Sequence, residues 1–420
     1  MNPDFPLTPQ NFYWATGIED TFIAHVHPGY RLLDEYEHTQ HYRFWKSDLD
    51  LAAGTGIKLL RWGIPWYRVQ PAPEVFDWSW TDEVLDYMVN VKGIRPVLDL
   101  IHYGTPLWMD NSFINAHYPR LVAAYAAAVA ERYRSLSPAF TPFNEPAICA
   151  KMCGYRGVWP PYLTGDDGYY KLQAAIARGV VLTTRALKDA APSAPIVHVE
   201  ALWHHWTSDP SPAVRRLVQL NNLKQYLCTD LCLGRVDGDH PLYETLIQNG
   251  FEERDFRWFH ENRVEFDVFG ANYYPWSYGE VRPKPDGTFT RSRKQAPGFT
   301  IGRVLQDSWE RYRLPVMVTE TSAKGAHARR SRWMDETIEE VKRLRCAGVP
   351  VIGYTWFPLF SMFDWEYRTG RRPLRAYSID LGLFECSFDE QGVYCRQETP
   401  LVERYRRYTA QPAPPFAEAR

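Results

Sequence analysis

Two glutamates stand where the surrounding sequence gives no packing reason for them. Glu145 closes the run Ala139-Phe140-Thr141-Pro142-Phe143-Asn144-Glu145-Pro146, and Glu320 closes Leu314-Pro315-Val316-Met317-Val318-Thr319-Glu320. Both runs read as strands of a buried parallel sheet, and such strands stay apolar to their ends. For Glu145 alone, capping the open N–H groups of a following helix is a sufficient explanation. Two carboxylates, each at the C-terminal mouth of its own strand, are also what acid-assisted cleavage of a glycosidic bond requires. One protonates the leaving oxygen and the other attacks the anomeric carbon.

The elements that must hold such a pair are legible along the chain. Strand-like runs fall at 12–18, 58–64, 95–101, 139–145, 195–201, 268–274, 315–320 and 349–357. Between them lie amphipathic faces such as Trp45, Leu49 and Ala52, or Val122, Tyr125, Val129 and Tyr133. Alternation of this kind is the signature of a repeated βα unit. Eight units predict a closed (β/α)8 TIM barrel, whose chemistry sits at the C-terminal ends of its strands. A doubly wound open sheet would need a glycine-rich phosphate turn after the first strand, and none follows Ile18. The long connections 202–267 and 283–300 read as functional lips or lids. We expect a single catalytic domain over 1–420, with a loose C-terminal tail at 409–420.

Composition narrows the partners. A formal net charge of −2 over 420 residues gives no basic surface for nucleic acid, and no apolar run reaches membrane length. The 16 Trp and 26 Tyr supply flat faces on which sugar rings stack, although many belong to the core. Residues 1–10 lack a basic start and an apolar stretch, so the expected location is cytoplasmic. The seven cysteines are odd in number and lie in apolar or helical surroundings, which fits free thiols. Cys149 and Cys153 have metal-like spacing, but no second Cys/His pair completes a site, and packing is the reading. Neither a metal nor an organic cofactor is expected, and oligomeric state is not readable.

Taken in order, these motifs resemble those of family 1 glycoside hydrolases, the β-glucosidase-like branch of the retaining barrel clan. The resemblance runs from about Phe12 to Phe384. Thr141-Pro142-Phe143-Asn144-Glu145-Pro146 is similar to the family's Thr-Phe-Asn-Glu-Pro, and Val318-Thr319-Glu320 to its Ile-Thr-Glu-Asn-Gly. The resemblance implies a retaining β-glycoside hydrolase working through a covalent glycosyl-enzyme, with Glu145 as acid/base and Glu320 as nucleophile. The alternatives are a transglycosylase of the same fold and a non-catalytic sugar-binding barrel.

It also implies a set of substrate contacts. Arg61, in Arg61-Trp62-Gly63-Ile64, should pair with Glu320; a plain structural ion pair is the other reading. His102 should bind a sugar hydroxyl and Asn144 the 2-hydroxyl. In Gly270-Ala271-Asn272-Tyr273-Tyr274, Asn272 faces substrate and Tyr274 donates to the nucleophile. Three positions depart from the family. Glu19 stands near the place of a hydroxyl-gripping Gln, Thr321-Ser322 replaces Asn-Gly, and Phe363-Asp364-Trp365 replaces Phe-Glu-Trp. Without gaps Phe357 falls on the family's stacking Trp, but Trp356 is the expected sugar platform. Asp364 and Trp365 complete the set, and the role of Glu200 stays open between substrate contact and cap.

Overall fold

The computed structural model describes residues 6–417 apart from 26, 285, 287 and 294. Its central sheet has eight strands: β1 (Tyr13–Gly17), β2 (Leu59–Gly63), β3 (Arg95–Asp99), β4 (Ala139–Thr141), β5 (Val197–Ala201), β6 (Val268–Asn272), β7 (Val316–Thr321) and β8 (Val351–Trp356). All neighbours are parallel, in the order β4-β3-β2-β1-β8-β7-β6-β5. The seam between β4 and β5 is joined by the bridges Phe140 to Ile196 and Asn144 to Val199, and the sheet thereby closes into the expected barrel. β4 is the shortest strand of the eight because Pro142 has no N–H to offer the ladder.

Side chains alternate across each strand. Ala15, Leu59, Val97, Ala139, Val197, Val199, Val268, Met317 and Ile352 meet inside the barrel. The outward residues pack on α1 (His41–Gly54), α2 (Ser79–Asp86), α3 (Tyr118–Tyr133), α4 (Gly165–Ala190), α5 (Leu227–Cys232), α6 (Thr300–Tyr312) and α7 (His327–Cys346). In α3 an alanine-rich run carries Val122, Tyr125, Ala126, Val129 and Tyr133 buried along one stripe, with Pro119 tolerated in the first turn. α8 (Pro400–Thr409) closes the chain against α7.

Two expectations change here. The tail is not loose throughout: Arg345 of α7 donates to the Pro414 carbonyl at 2.9 Å, and Ala417 N–H donates to the Arg345 carbonyl at 3.2 Å. The last three positions lie outside the described residues. The two long connections, read separately as lips, form one ribbon. His204–Trp206, which follows β5, pairs with Tyr278–Pro283, which pairs in turn with Phe289–Arg293. Among the described residues no helix is long and apolar enough to cross a membrane.

Candidate active site

Three breaks in backbone regularity aim the polar side chains into one place. Glu145 has φ 49 and ψ 61, a left-handed conformation costly for a residue with a Cβ, and it sits at the first turn of the short helix Pro146–Ala150. In β7 the pairing register shifts between Val318 and Glu320 on the β6 side. Met317 and Thr319 already face inward, so a regular strand would turn Glu320 outward; the irregularity re-aims it. Tyr103, just past β3, has φ 89. Arg61, Asp99 and Asn272 need no such device, since each stands in inward register on its strand.

Glu145 accepts from the Tyr103 hydroxyl at 2.5 Å and from Asn272 Nδ2 at 3.0 Å. Glu320 accepts from Arg61 Nη1 at 2.6 Å and from the Tyr274 hydroxyl at 2.7 Å. Arg61 also ion-pairs with Asp99 and donates to Asn144 Oδ1 at 3.1 Å. Asn144 is saturated within the protein. Its oxygen takes Arg61 and Asn272, and its amide nitrogen lies 3.0 Å from His102 Nε2 and 2.9 Å from the Tyr103 oxygen. The expected bond from Asn144 to a 2-hydroxyl therefore requires one of these partners to give way. Thr319 fixes Asn272 through its Oδ1 at 2.7 Å.

Burial sets the acidities. It pushes Glu320 up to about 7, with the nearby charge of Glu145 adding to it and Arg61 opposing. It raises Glu145 as well, against the donors Tyr103 and Asn272. Arg61, bonded to Glu320 and not to Glu145, favours the ionised form of Glu320. Burial works against ionisation of Asp99 too, but Arg61 and His102 hold it below the usual carboxylate range. Burial depresses His102, yet Asp20, with an oxygen 2.8 Å from Nδ1, holds it well above the ordinary value. Gly63 makes this possible, because a Cβ there would lie 1.8 Å from an Asp20 oxygen.

Both glutamates open onto a cavity of about 740 Å³. Of the expected contacts, Glu19, His102, Asn272, Tyr274, Asp364 and Trp365 line it, while Arg61 and Asn144 are buried behind the glutamates. Trp356 is corrected. It is fully buried, spends its indole N–H on the Leu381 carbonyl at 3.1 Å, and does not line the cavity. The pairing of β8 with β7 is irregular, so Trp356 packs in the outer core although Ile352 lies inside the barrel, whereas Trp365 reaches the cavity wall beside Tyr103. Phe357 is likewise buried, stacked 6.5 Å from His102. Glu200 faces outward from β5, where it accepts from Thr229 at 3.2 Å. Cys149 and Cys153 are buried with sulfurs 3.6 Å apart, and all seven cysteines are free.

Sequence reasoning missed Tyr103, Asp20 and Asp99. Asp99 carried a signal, a carboxylate inside the apolar strand Pro96-Val97-Leu98-Asp99-Leu100, which Arg61 explains. Tyr103 carried none, since its role depends on a backbone conformation that periodicity does not encode. Asp20, Asp99 and His102 are also the residues that approach metal-ligand spacing among those described. Arg61 already pairs with Asp99, so a cation there would meet repulsion.

Against known proteins, the family described as Glycosyl hydrolase family 1 matches residues 18–318, a span that includes Glu145 and stops two residues short of Glu320. β-Glucosidase A of Thermotoga maritima is 21% identical over 79% of this chain and 80% of its own. β-Glucosidase 1B of Phanerodontia chrysosporium is 28% identical over 91% of this chain and 79% of its own. The fold superposes on a family 1 β-glucosidase of Thermotoga maritima with a TM-score of 0.82, at 19% identity, over 96% of this chain and 97% of that one.

Proposed function

The chain belongs to glycosyl hydrolase family 1 and is a retaining β-glycoside hydrolase, and we propose that within it Glu145 is the acid/base and Glu320 the nucleophile. The observation that carries this reading is the contrast between two carboxyls on one cavity. Glu320 is backed by a guanidinium, and Glu145 by a phenol and an amide. Arg61 keeps Glu320 ionised while Glu145 holds the proton.

In the first step Glu145 delivers its proton to the glycosidic oxygen, the bond from that oxygen to the anomeric carbon breaks, and a Glu320 oxygen bonds to that carbon. The charge lost from Glu320 in the ester leaves Arg61 still paired with Asp99, so no buried cation is stranded. Glu145, now anionic, takes a proton from water as the water displaces Glu320, which restores both groups. Glu19, His102, Asp364 and Trp365 are proposed to hold the glycone, with Asn272 and Tyr274 bridging it to the reacting pair. Neither step calls for a metal or organic cofactor. We further propose that residues 1–420 act as one catalytic domain in the cytoplasm, where seven free thiols are at home.

The test is a panel of nitrophenyl glycosides of both anomeric configurations, with the product anomer followed by proton NMR. Cleavage of β-glycosides with the β-anomer formed first is expected. An α-anomer as first product, or activity that survives Glu320→Gln unchanged, overturns the assignment.

A further inference from the structure

The wall of the cavity changes character from floor to mouth. The floor is buried and acidic, with Glu19, Glu145 and Glu320. Nearer solvent, cationic side chains from four separate elements line the same cavity. Lys151 follows the Glu145 helix, Lys224 belongs to the β5–β6 connection, Arg291 to the ribbon, and Lys324 to the loop after β7. Lys151 and Lys324 are exposed, and Lys224 and Arg291 half-buried. Outside the floor, two carboxylates line the same cavity among the described residues: Asp166, 4.0 Å from Lys224, and the half-buried Asp364 on the glycone side.

Arg291 is held in place. Its guanidinium lies 2.8 Å from His205 Nε2. It reaches there by crossing Gly279, where a Cβ would stand 2.7 Å from Arg291 Cγ. Burial, Arg291 and Lys151 push His205 down to about 3, so its ring is neutral and accepts from the guanidinium. The ring proton then sits on Nδ1, a buried donor that meets no acceptor among the described residues, in a side chain that lines the cavity. A guanidinium, an ammonium and an unanswered N–H on one wall ask for an oxyanion.

We propose that the cavity mouth binds an oxyanion, a carboxylate, sulfate or phosphate, carried by the aglycone, so that the enzyme selects glycosides whose leaving part is acidic. This rests on the assignment of Glu145 and Glu320, because the leaving group points from the buried pair toward solvent and hence past Lys151 and Arg291.

The test uses coumarin β-glycosides of the best glycone from the panel, with a carboxymethyl group, a sulfomethyl group, a phosphonomethyl group or the neutral carboxamide on the same ring. At low ionic strength kcat/KM for an anionic member is expected to exceed that for the carboxamide by about tenfold, since two or three partly exposed charge pairs each add a few-fold. The ranking of the three anions identifies the natural group. The preference should shrink at high salt, where screening acts within a few ångströms, and should fall at least threefold in Arg291→Gln and in Lys324→Gln. A ratio near one for all three anions, or a ratio that both variants leave unchanged, overturns the proposal. Calorimetric titration of the same compounds into Glu320→Gln reads the discrimination without turnover. Equal affinities there overturn this inference, whereas retained discrimination with no hydrolysis by the wild type overturns the proposed function alone.

Discussion

Tyr103→Phe isolates one atom of the catalytic apparatus. The phenol donates to Glu145 at 2.5 Å, and the ring packs in edge contact with Trp365 at 5.6 Å and tilted against Trp159 at 5.0 Å. Phenylalanine keeps the ring, its contacts and the Cβ at φ 89, so backbone strain is the same in both proteins. What goes is a hydrogen bond to the ionised form of Glu145, a class of bond worth about 1.5–3 kcal/mol, together with the acceptor that Asn144 Nδ2 uses at 2.9 Å. At 1.36 kcal/mol per pKa unit, the loss corresponds to about 1–2 units. Asn272 still donates at 3.0 Å, so the lower end is expected.

The direction follows from which form the bond favours. Tyr103 stabilises the carboxylate and holds the Glu145 pKa down against burial. Without it the pKa rises, Glu145 stays protonated to higher pH, and the alkaline limb of the kcat/KM profile moves up by about 1 unit. The assay is kcat/KM against pH for an aryl β-glycoside with a poor leaving group, whose departure needs the proton. Glu145→Gln, which has no proton to give, should lack the limb. An alkaline limb that stays where it was, or moves down, refutes the reasoning.

Other outcomes follow from the same geometry. Glu320→Gly should abolish turnover and regain it with azide as an α-glycosyl azide, while Glu145→Ala should spare good leaving groups and give a retained azide product. The reverse pattern would mean that the two roles are exchanged. Arg61→Met strips the buried partner from both Asp99 and Glu320. Chemical denaturation should show a loss of about 3–5 kcal/mol, and the acid limb of kcat/KM should move to higher pH because Glu320 loses the group that opposes its protonation. On the glycone side, Glu19 accepts from Thr21 at 2.6 Å and Asp364 accepts from the Glu366 N–H at 3.0 Å, so both present acceptors where the family has an amide and a longer carboxylate. We expect β-glucoside to be a poorer substrate than another β-glycone among galactoside, fucoside, mannoside and xyloside, and Glu19→Gln to raise its relative kcat/KM by roughly tenfold. A wild-type preference for β-glucoside would remove the basis for this.

The barrel was legible because apolar runs and amphipathic faces alternate eight times, and the strand runs that periodicity gives differ from the observed ones by a few residues at their ends. Arg61 and Tyr274 were legible for the same reason: each is a polar residue at the end of an otherwise apolar strand, with an anion as its evident partner. Trp356 shows the limit of that method. Aromatic at a strand end reads as a platform, but the side of the strand it faces depends on register, and the irregular register of β8 leaves it buried in the outer core against the Leu381 carbonyl.

What the sequence concealed about the reacting pair is how it is aimed. The two glutamates and Tyr103 all leave the alternation of their strands, through a left-handed residue, a register shift and a positive φ. A regular barrel presents inward side chains at fixed spacing, whereas a carboxyl pair that must straddle one glycosidic bond needs positions the regular lattice does not offer. The cost is local strain of a few kcal/mol, borne where the surrounding hydrogen bonds over-determine the conformation. Asn144 bonds Arg61, Asn272, His102 and Tyr103 together and so ties the strained Glu145 turn to β2, β3 and β6. On this account Asn144 acts chiefly as the rivet of the site, and its replacement should disturb the Glu145 geometry before it disturbs any contact with sugar.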